Sequence, residues 1–233
     1  DAGLRPWLVV ASAGTVNTGS VDPLPAIGDV AAAHGLWLHV DGAYGAFFAL
    51  CPQGRAVLAG MDRSDSIVMD PHKTLFLPYG TGAVLVKDRE KLYASHHLGA
   101  DYLQDTLVDS EELSPADASP ELTRHFRGLR MWLPLKVLGL APFRAALEEK
   151  ILLARYFHEK VQELDSFEVG PYPDLAVATY RYVPKRGDAN EFNQQLVRSI
   201  HQDGRVFVSS TVLDGKFVLR LAGRRWQHRR DLV

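Results

Sequence analysis

Trp37-Leu38-His39-Val40-Asp41-Gly42-Ala43-Tyr44-Gly45 and Ser66-Ile67-Val68-Met69-Asp70-Pro71-His72-Lys73-Thr74 are the two stretches whose reading decides the fold. Each begins as an apolar run of strand length and ends in polar and small residues. The segment between them is long enough for a crossover connection, so the two strands are expected to run parallel. Working outward, Leu8-Val9-Val10-Ala11 breaks at Gly14 and reads as a further strand, buried on both faces. The helix expected between it and Trp37 has Asp22 as its cap, Pro23 or Pro25 in its first turn, Ile27, Val30 and Ala31 as its apolar face, and Gly35 at its end. Gly82 to Val86 supplies another strand. Strands separated by helical or crossover segments argue an α/β fold with a mainly parallel sheet and covering helices.

Downstream the period changes. Phe143, Leu147, Ile151, Ala154, Phe157, Val161 and Leu164 recur at steps of three and four, which only a helix places on one face. After Gly170-Pro171-Tyr172-Pro173, Leu175 to Val183 reads as a strand and Asn190 to Asp203 as a helix closed by Gly204. Val206 to Val212 and Lys216 to Leu221 flank Asp214-Gly215, a hairpin signal. The expected division is therefore residues 1–140 as part of a large α/β domain, 141–169 as a long connecting helix, and 170–233 as a smaller α+β domain.

The chain has 233 residues, 46% hydrophobic and 23% charged, with a net charge of -2. That balance argues against a disordered chain, a collagen-like repeat and an overall basic nucleic-acid binder. No apolar run approaches the ~20 residues that a membrane-spanning helix needs, and the N-terminus has no signal-peptide pattern. The single cysteine, Cys51, excludes an internal disulfide framework, reads as a buried thiol, and points to a reducing, cytoplasmic setting. The chain opens at Asp1, has no methionine before Met61 and stops at Leu232-Val233, which reads as an excerpt of a longer protein.

Open α/β sheets bind ligands at the carboxyl ends of their strands. Three such ends carry the informative residues here: Gly14-Thr15, Asp41 to Gly45, and Asp70 to Thr74. A lysine directly after a buried strand needs a partner or a neutral state. Desolvation favours the neutral amine, which can attack an aldehyde cofactor to form a Schiff base, and pyridoxal phosphate fits the remaining residues. A carboxylate is needed to keep the pyridine nitrogen protonated, and Asp41 is placed for it. Ala43, two residues on and read as lying on the same strand face, would pack on the ring. Thr15 would bond a ring substituent or the substrate carboxylate, and His72 the phosphate or a proton in transit. His39-x-Asp41 and Asp70-x-His72 also put two potential metal ligands each on one strand face; that rival reading leaves Lys73 unexplained, so no metal is expected.

His39-Val40-Asp41-Gly42-Ala43-Tyr44-Gly45 and Asp70-Pro71-His72-Lys73 resemble the group II pyridoxal-phosphate-dependent amino acid decarboxylases, relatives of aromatic-L-amino-acid and glutamate decarboxylase. The likeness extends to Ala13-Gly14-Thr15 ahead of Asp22, to Cys51-Pro52, to Arg127-Gly128-Leu129-Arg130-Met131-Trp132 and to Phe217-Val218-Leu219-Arg220. It implies the fold-type I pyridoxal-phosphate architecture and decarboxylation of an L-amino acid to an amine and carbon dioxide. It also implies that Lys73 binds the cofactor aldehyde, Asp41 pairs with the pyridinium, Ala43 packs on the ring, and Thr15, Asp70 and His72 contact cofactor or substrate. A homodimer with sites at the interface follows from the same resemblance, with no nucleic acid or membrane partner.

Three departures bear on it. The phosphate ligands and the residue stacked on the other ring face belong, in the resembled family, to a part N-terminal to Asp1. Some relatives have Asn where this chain has Asp70. The stretch Leu107 to Arg124 contains no tyrosine, the residue with which relatives such as the aromatic decarboxylase protonate the carbanion-like intermediate; either another donor serves, His125 or a partner-subunit group, or the reaction outcome differs. The rival functions are another fold-type I enzyme, such as an aminotransferase, aldolase or desulfurase-like lyase, and a non-catalytic remnant. His34, His158 and His201 are expected to be solvated, His96-His97 is assigned no role, and Arg224-Arg225-Trp226-Gln227-His228-Arg229-Arg230 is expected to be a surface segment. Gly14 to Gly19 has no phosphate-loop spacing.

Overall fold

The parallel pairing expected of the two decisive strands is present in a computed structural model, which describes residues 3–96, 118–121 and 123–222. Strand β1 (Leu8–Ser12) pairs in parallel with β2 (Trp37–Asp41), and β2 with β3 (Ser66–Met69). The register puts Ser12 opposite Asp41 and Asp41 opposite Val68, so all three strands deliver their carboxyl ends to one edge. Strand β4 (Ala83–Val86) runs antiparallel to β3, because the connection between them holds only the one-turn helix α3 (Pro71–Thr74) and no full crossover helix.

Helix α1 (Leu24–His34) has Pro25 in its first turn, where a missing N–H costs nothing, and stops at Gly35 in the left-handed conformation (φ 61°). Asp22 does not cap it. Its carboxylate instead accepts the Ser12 N–H at 2.7 Å, satisfying the last residue of β1. The apolar face also differs from expectation: Leu24, Gly28 and Ala31 are buried, while Val30 is 52% exposed. In β1, Val10 is 55% exposed, since this strand is the edge of the described sheet and lacks a neighbour on one side. Cys51 is buried, as expected, and donates its thiol to the Phe48 carbonyl just ahead of helix α2 (Pro52–Val57).

Helix α4 (Arg89–His96) and helix α5 (Arg127–Leu138) complete this part, and α6 (Ala141–Gln162) is the long amphipathic helix. Phe143, Leu147 and Ile151 of α6 join Val40, Phe48 and Leu75 in one core, together with Leu175 and Ala176 from beyond the helix. The buried face of α6 also carries Lys150 and His158; His158 is 6% exposed and stacks edge-on against Tyr172, contrary to the solvated position expected of it. The second sheet is antiparallel, in the order β5-β6-β8-β7, from β5 (Phe167–Val169), β6 (Val177–Tyr182), β7 (Ser209–Leu213) and β8 (Lys216–Ala222). Helix α7 (Ala189–Asp203) covers it through Leu196, Val197 and Ile200, capped by the Asp188 carboxylate on Glu191 N–H.

Two asparagines dock α7 on that sheet. Asn193, fully buried, accepts the Tyr182 N–H at 2.9 Å and donates to the Tyr182 and Ala189 carbonyls at 2.7 Å each. Asn190 accepts the Phe217 N–H at 2.8 Å and donates to the Gly215 carbonyl at 2.9 Å. Among the described residues, no helix is long and apolar enough to cross a membrane. Asn193→Ala strands both backbone groups of Tyr182 in the interior and should lower unfolding stability by about 2–3 kcal/mol. Chemical denaturation monitored by circular dichroism measures this, and an unchanged midpoint would show that the bridge contributes nothing.

Candidate active site at the carboxyl ends of the parallel strands

Past their last paired residues, the parallel strands remain tied by backbone hydrogen bonds. Ala13 N–H donates to the Asp41 carbonyl at 2.7 Å, Gly42 N–H to Val68 at 3.0 Å, and Asp70 N–H to Ala43 at 3.1 Å. The turn after Asp41 is thus held between the ends of β1 and β3. Two close approaches require glycine. A Cβ on Gly45 would lie 2.0 Å from the Ala13 carbonyl oxygen, and one on Gly14 would meet the Tyr44 ring at 2.9 Å, with Gly14 also at φ +104°.

Asp41 is exposed at the end of β2. Its Oδ1 accepts the Ala43 N–H at 3.1 Å, and its other oxygen meets no donor among the described residues. Ala43 does not continue the strand face, because β2 ends at Asp41 and the chain turns, with Gly42 N–H bonded to Val40 and Val68. Asp70 and Pro71-His72 likewise lie at the start of α3 and not on a strand face.

Lys73 sits on that single helical turn. Its side chain is 41% exposed, less secluded than expected, and its Nζ is paired with Asp70 Oδ2 at 2.8 Å. Asp70 therefore has its own cationic partner. The backbone supports the arrangement: Lys73 N–H donates to the Asp70 carbonyl at 2.9 Å. His72 Nδ1 lies 2.6 Å from the Thr81 carbonyl. A carbonyl only accepts, so Nδ1 carries the proton, and in the neutral ring Nε2 is left as the acceptor. Tyr79 packs edge-on against this ring at 5.0 Å. Thr81 and Tyr79 were not singled out from the sequence; the signal was the Gly80-Thr81-Gly82 turn following a Pro-Tyr pair.

Thr15 lies in a tight turn closed by its N–H and that of Gly14 on the Ser20 carbonyl. Its hydroxyl is 2.8 Å from that of Thr18, which is 2.7 Å from Ser20 Oγ, and it accepts the Ser20 N–H at 3.2 Å. His39 is engaged elsewhere, with Nδ1 2.8 Å from Ser66 Oγ, an oxygen that Trp37 Nε1 also reaches at 2.8 Å. Asp70 being held by Lys73, neither of the two proposed metal-ligand pairs stands open as a pair.

A cavity of about 700 Å³ adjoins α3, lined by His72 and Lys73 and by apolar walls that include Leu75, Leu77, Tyr79 and Phe143. Phe76 on its wall adopts φ 59°, a left-handed conformation that bulky residues avoid, and its ring lies 4.0 Å beneath Lys150 Nζ. Arg130 of α5 reaches across to the Tyr79 carbonyl at 3.3 Å. His125 is exposed two residues ahead of α5. Most of the tyrosine-free stretch from Leu107, together with His97 and the basic run from Arg224 to Arg230, lies outside the described residues.

Residues 1–183 match the conserved domain described as pyridoxal-dependent decarboxylase. The chain is 38% identical over 224 residues to an aromatic-L-amino-acid decarboxylase of Bacillus atrophaeus, covering 94% of this chain and 47% of that protein. It is 35% identical over 230 residues to tryptophan decarboxylase 1 of Oryza sativa subsp. japonica, covering 95% and 45%. The chain thus spans about half the length of the curated relatives it matches. Among solved structures, that of Oryza sativa TDC with PLP and tryptamine superposes with a TM-score of 0.88 at 35% identity, covering 95% of this chain and 47% of that one.

Gly45→Ala drives a methyl group into backbone that cannot yield, and should destabilise the protein by about 3 kcal/mol. Thermal unfolding of the purified variant checks this; a melting temperature equal to the wild type would show that the strand ends separate freely.

Proposed function

Because the chain belongs to the pyridoxal-dependent decarboxylase family, we propose that the protein to which it belongs decarboxylates an L-amino acid to an amine and carbon dioxide, using pyridoxal 5'-phosphate. The observation that carries this reading is the pairing of an open carboxylate, Asp41, with a primary amine, Lys73, on the ends of adjacent parallel strands joined by the Asp70-to-Ala43 hydrogen bond. These residues fit the ring and the aldehyde of the cofactor. Asp41 is exposed and keeps one oxygen without a donor among the described residues, Ala43 brings only a methyl group beside it, and Lys73 is 41% exposed.

When bound, pyridoxal phosphate supplies an electron sink for the pair released as the bond from Cα to the carboxylate breaks. Asp41 would hold the proton on the pyridine nitrogen. Lys73 Nζ would be the amine that holds the aldehyde, with Asp70 Oδ2, 2.8 Å from that nitrogen, orienting it. Ala43 would lie against the ring. Thr15 Oγ and His72 Nε2 bind and orient polar groups of cofactor or substrate, the His72 ring being kept in one tautomer by the Thr81 carbonyl.

The apolar cavity beside Lys73 and the names of the relatives favour an aromatic L-amino acid as substrate. We assign the protein to the cytoplasm on the single cysteine of this chain, which is buried and reduced. We further assign it a homodimeric state, on its membership of the family alone. Residues 1–140 are read as part of the cofactor-binding domain, 141–169 as the connection and 170–233 as the small domain.

Borohydride should fix the cofactor covalently to the intact wild-type protein and not to Lys73→Ala; equal trapping in the variant would remove the lysine from its role. Asp41→Ala should keep the trappable cofactor yet lose turnover by about a hundredfold or more. Product analysis separates the rivals: amine with one equivalent of carbon dioxide supports decarboxylation, and a keto acid without carbon dioxide would make the protein an aminotransferase.

A further inference from the structure

The turn that carries Thr15 closes on itself at its base, through bonds to Thr18 and Ser20, but its tip stands open. Val16, at its tip, is 79% exposed, and Asn17 is exposed beside it. What holds the tip is the second sheet. Arg220 of β8 donates from Nε to the Asn17 carbonyl at 2.8 Å and from Nη2 to the Val16 carbonyl, and its Nη1 reaches Ser209 Oγ of β7 at 3.2 Å. Thr211 of β7 adds a bond from its hydroxyl to Asn17 Oδ1 at 2.9 Å. Two successive carbonyls gripped by one guanidinium form a geometry that a planar fork of donors satisfies and a lysine ammonium does not.

The same charge is felt at the neighbouring strand end: burial pushes the Tyr44 phenol well above its ordinary range, and Arg220 opposes that shift. The Tyr44 ring in turn stands 2.9 Å from where a Cβ on Gly14 would be.

We propose that Arg220 is a positioning residue for the cofactor: by fixing Val16 and Asn17 from the β7–β8 hairpin, it sets where the Thr15 hydroxyl stands, so that cofactor binding at the strand ends depends on the docking of the C-terminal sheet. This rests on the reading of Thr15 as a cofactor contact. A merely structural role would lower stability without passing through Thr15. A role through Thr15 makes the two residues non-additive.

The test is an absorbance titration of the intact apoprotein with pyridoxal 5'-phosphate for wild type, Arg220→Lys, Thr15→Val and the double variant. Arg220→Lys should weaken cofactor binding about tenfold, as expected for loss of charge-assisted hydrogen bonds, and the double variant should bind no worse than Thr15→Val alone. Multiplying losses in the double variant, or wild-type affinity in Arg220→Lys despite a lowered melting temperature, would overturn the proposal. If Arg220→Lys does not fold, Thr211→Val decides: it removes only the bond to Asn17 and should weaken binding severalfold, and unchanged affinity counts against the proposal. Wild-type protein that binds no pyridoxal phosphate would instead sink the functional reading beneath it, whereas wild-type binding through Lys73 with an indifferent Arg220 leaves that reading intact.

Discussion

Three backbone hydrogen bonds, from Ala13 N–H to Asp41, Gly42 N–H to Val68 and Asp70 N–H to Ala43, are the constraint on which the rest of the site depends. They extend the parallel pairing past the ends of the strands, where side chains alternate no longer and the chain must turn. Without them, Asp41 and Lys73 would sit on independent loops, each free to sample many orientations at a cost of roughly 1–2 kcal/mol per ordered residue. With them, the relative position of carboxylate and amine is set by sheet geometry. The glycines at 14 and 45 exist for this closeness, since side chains there would push the Thr15 turn away from the Asp41 turn.

Helix α6 carries that geometry to the other sheet. Its first turns bury Phe143, Leu147 and Ile151 in the core they share with Val40, Phe48 and Leu75, and its last turns bury Ala154, His158 and Val161. Fully burying three large apolar side chains contributes several kcal/mol, at roughly 1.5–3 kcal/mol each. The helix is therefore a rigid connection between the two sheets, and the hydrogen bonds from Arg220 to Val16 and Asn17 add a second, polar connection far from it along the chain. A tie at two separated points fixes orientation where a tie at one point would leave a pivot.

Much of this was legible in the sequence because the decisive elements obey simple periods. The apolar runs ending in Asp41 and Asp70, the α6 positions from Phe143 to Val161, and the Asp214-Gly215 turn all appear where expected. Failures arose where long-range partners override local preference. Asp22 is a good helix cap in isolation, yet it turns back to the Ser12 N–H because that group ends β1. His158 reads as solvated until the Tyr172 ring covers it. The antiparallel course of β4 and the short β5 depend on pairing that no local signal encodes. Within the site, residue types and order were readable, but the partners that orient them, Thr81 for His72 and Asp70 for Lys73, come from geometry.

The pairing of Lys73 with Asp70 shows what kind of work such a contact does. With the lysine side chain 41% exposed, an ion pair of this sort contributes only about 0–1 kcal/mol to stability. Stability is therefore a poor reason for it. The backbone N–H of Asp70 is already committed to Ala43, and its carbonyl to the Lys73 N–H, so that residue is held from both sides. A carboxylate mounted on so fixed a backbone gives the lysine amine one preferred direction. Gly82 leaves room for it, since a Cβ there would come within 3.2 Å of Asp70 Oδ1. An asparagine at 70 would keep both backbone bonds and forfeit only the charge. The cost of that exchange would fall on the orientation of Lys73 Nζ, with the fold left in place.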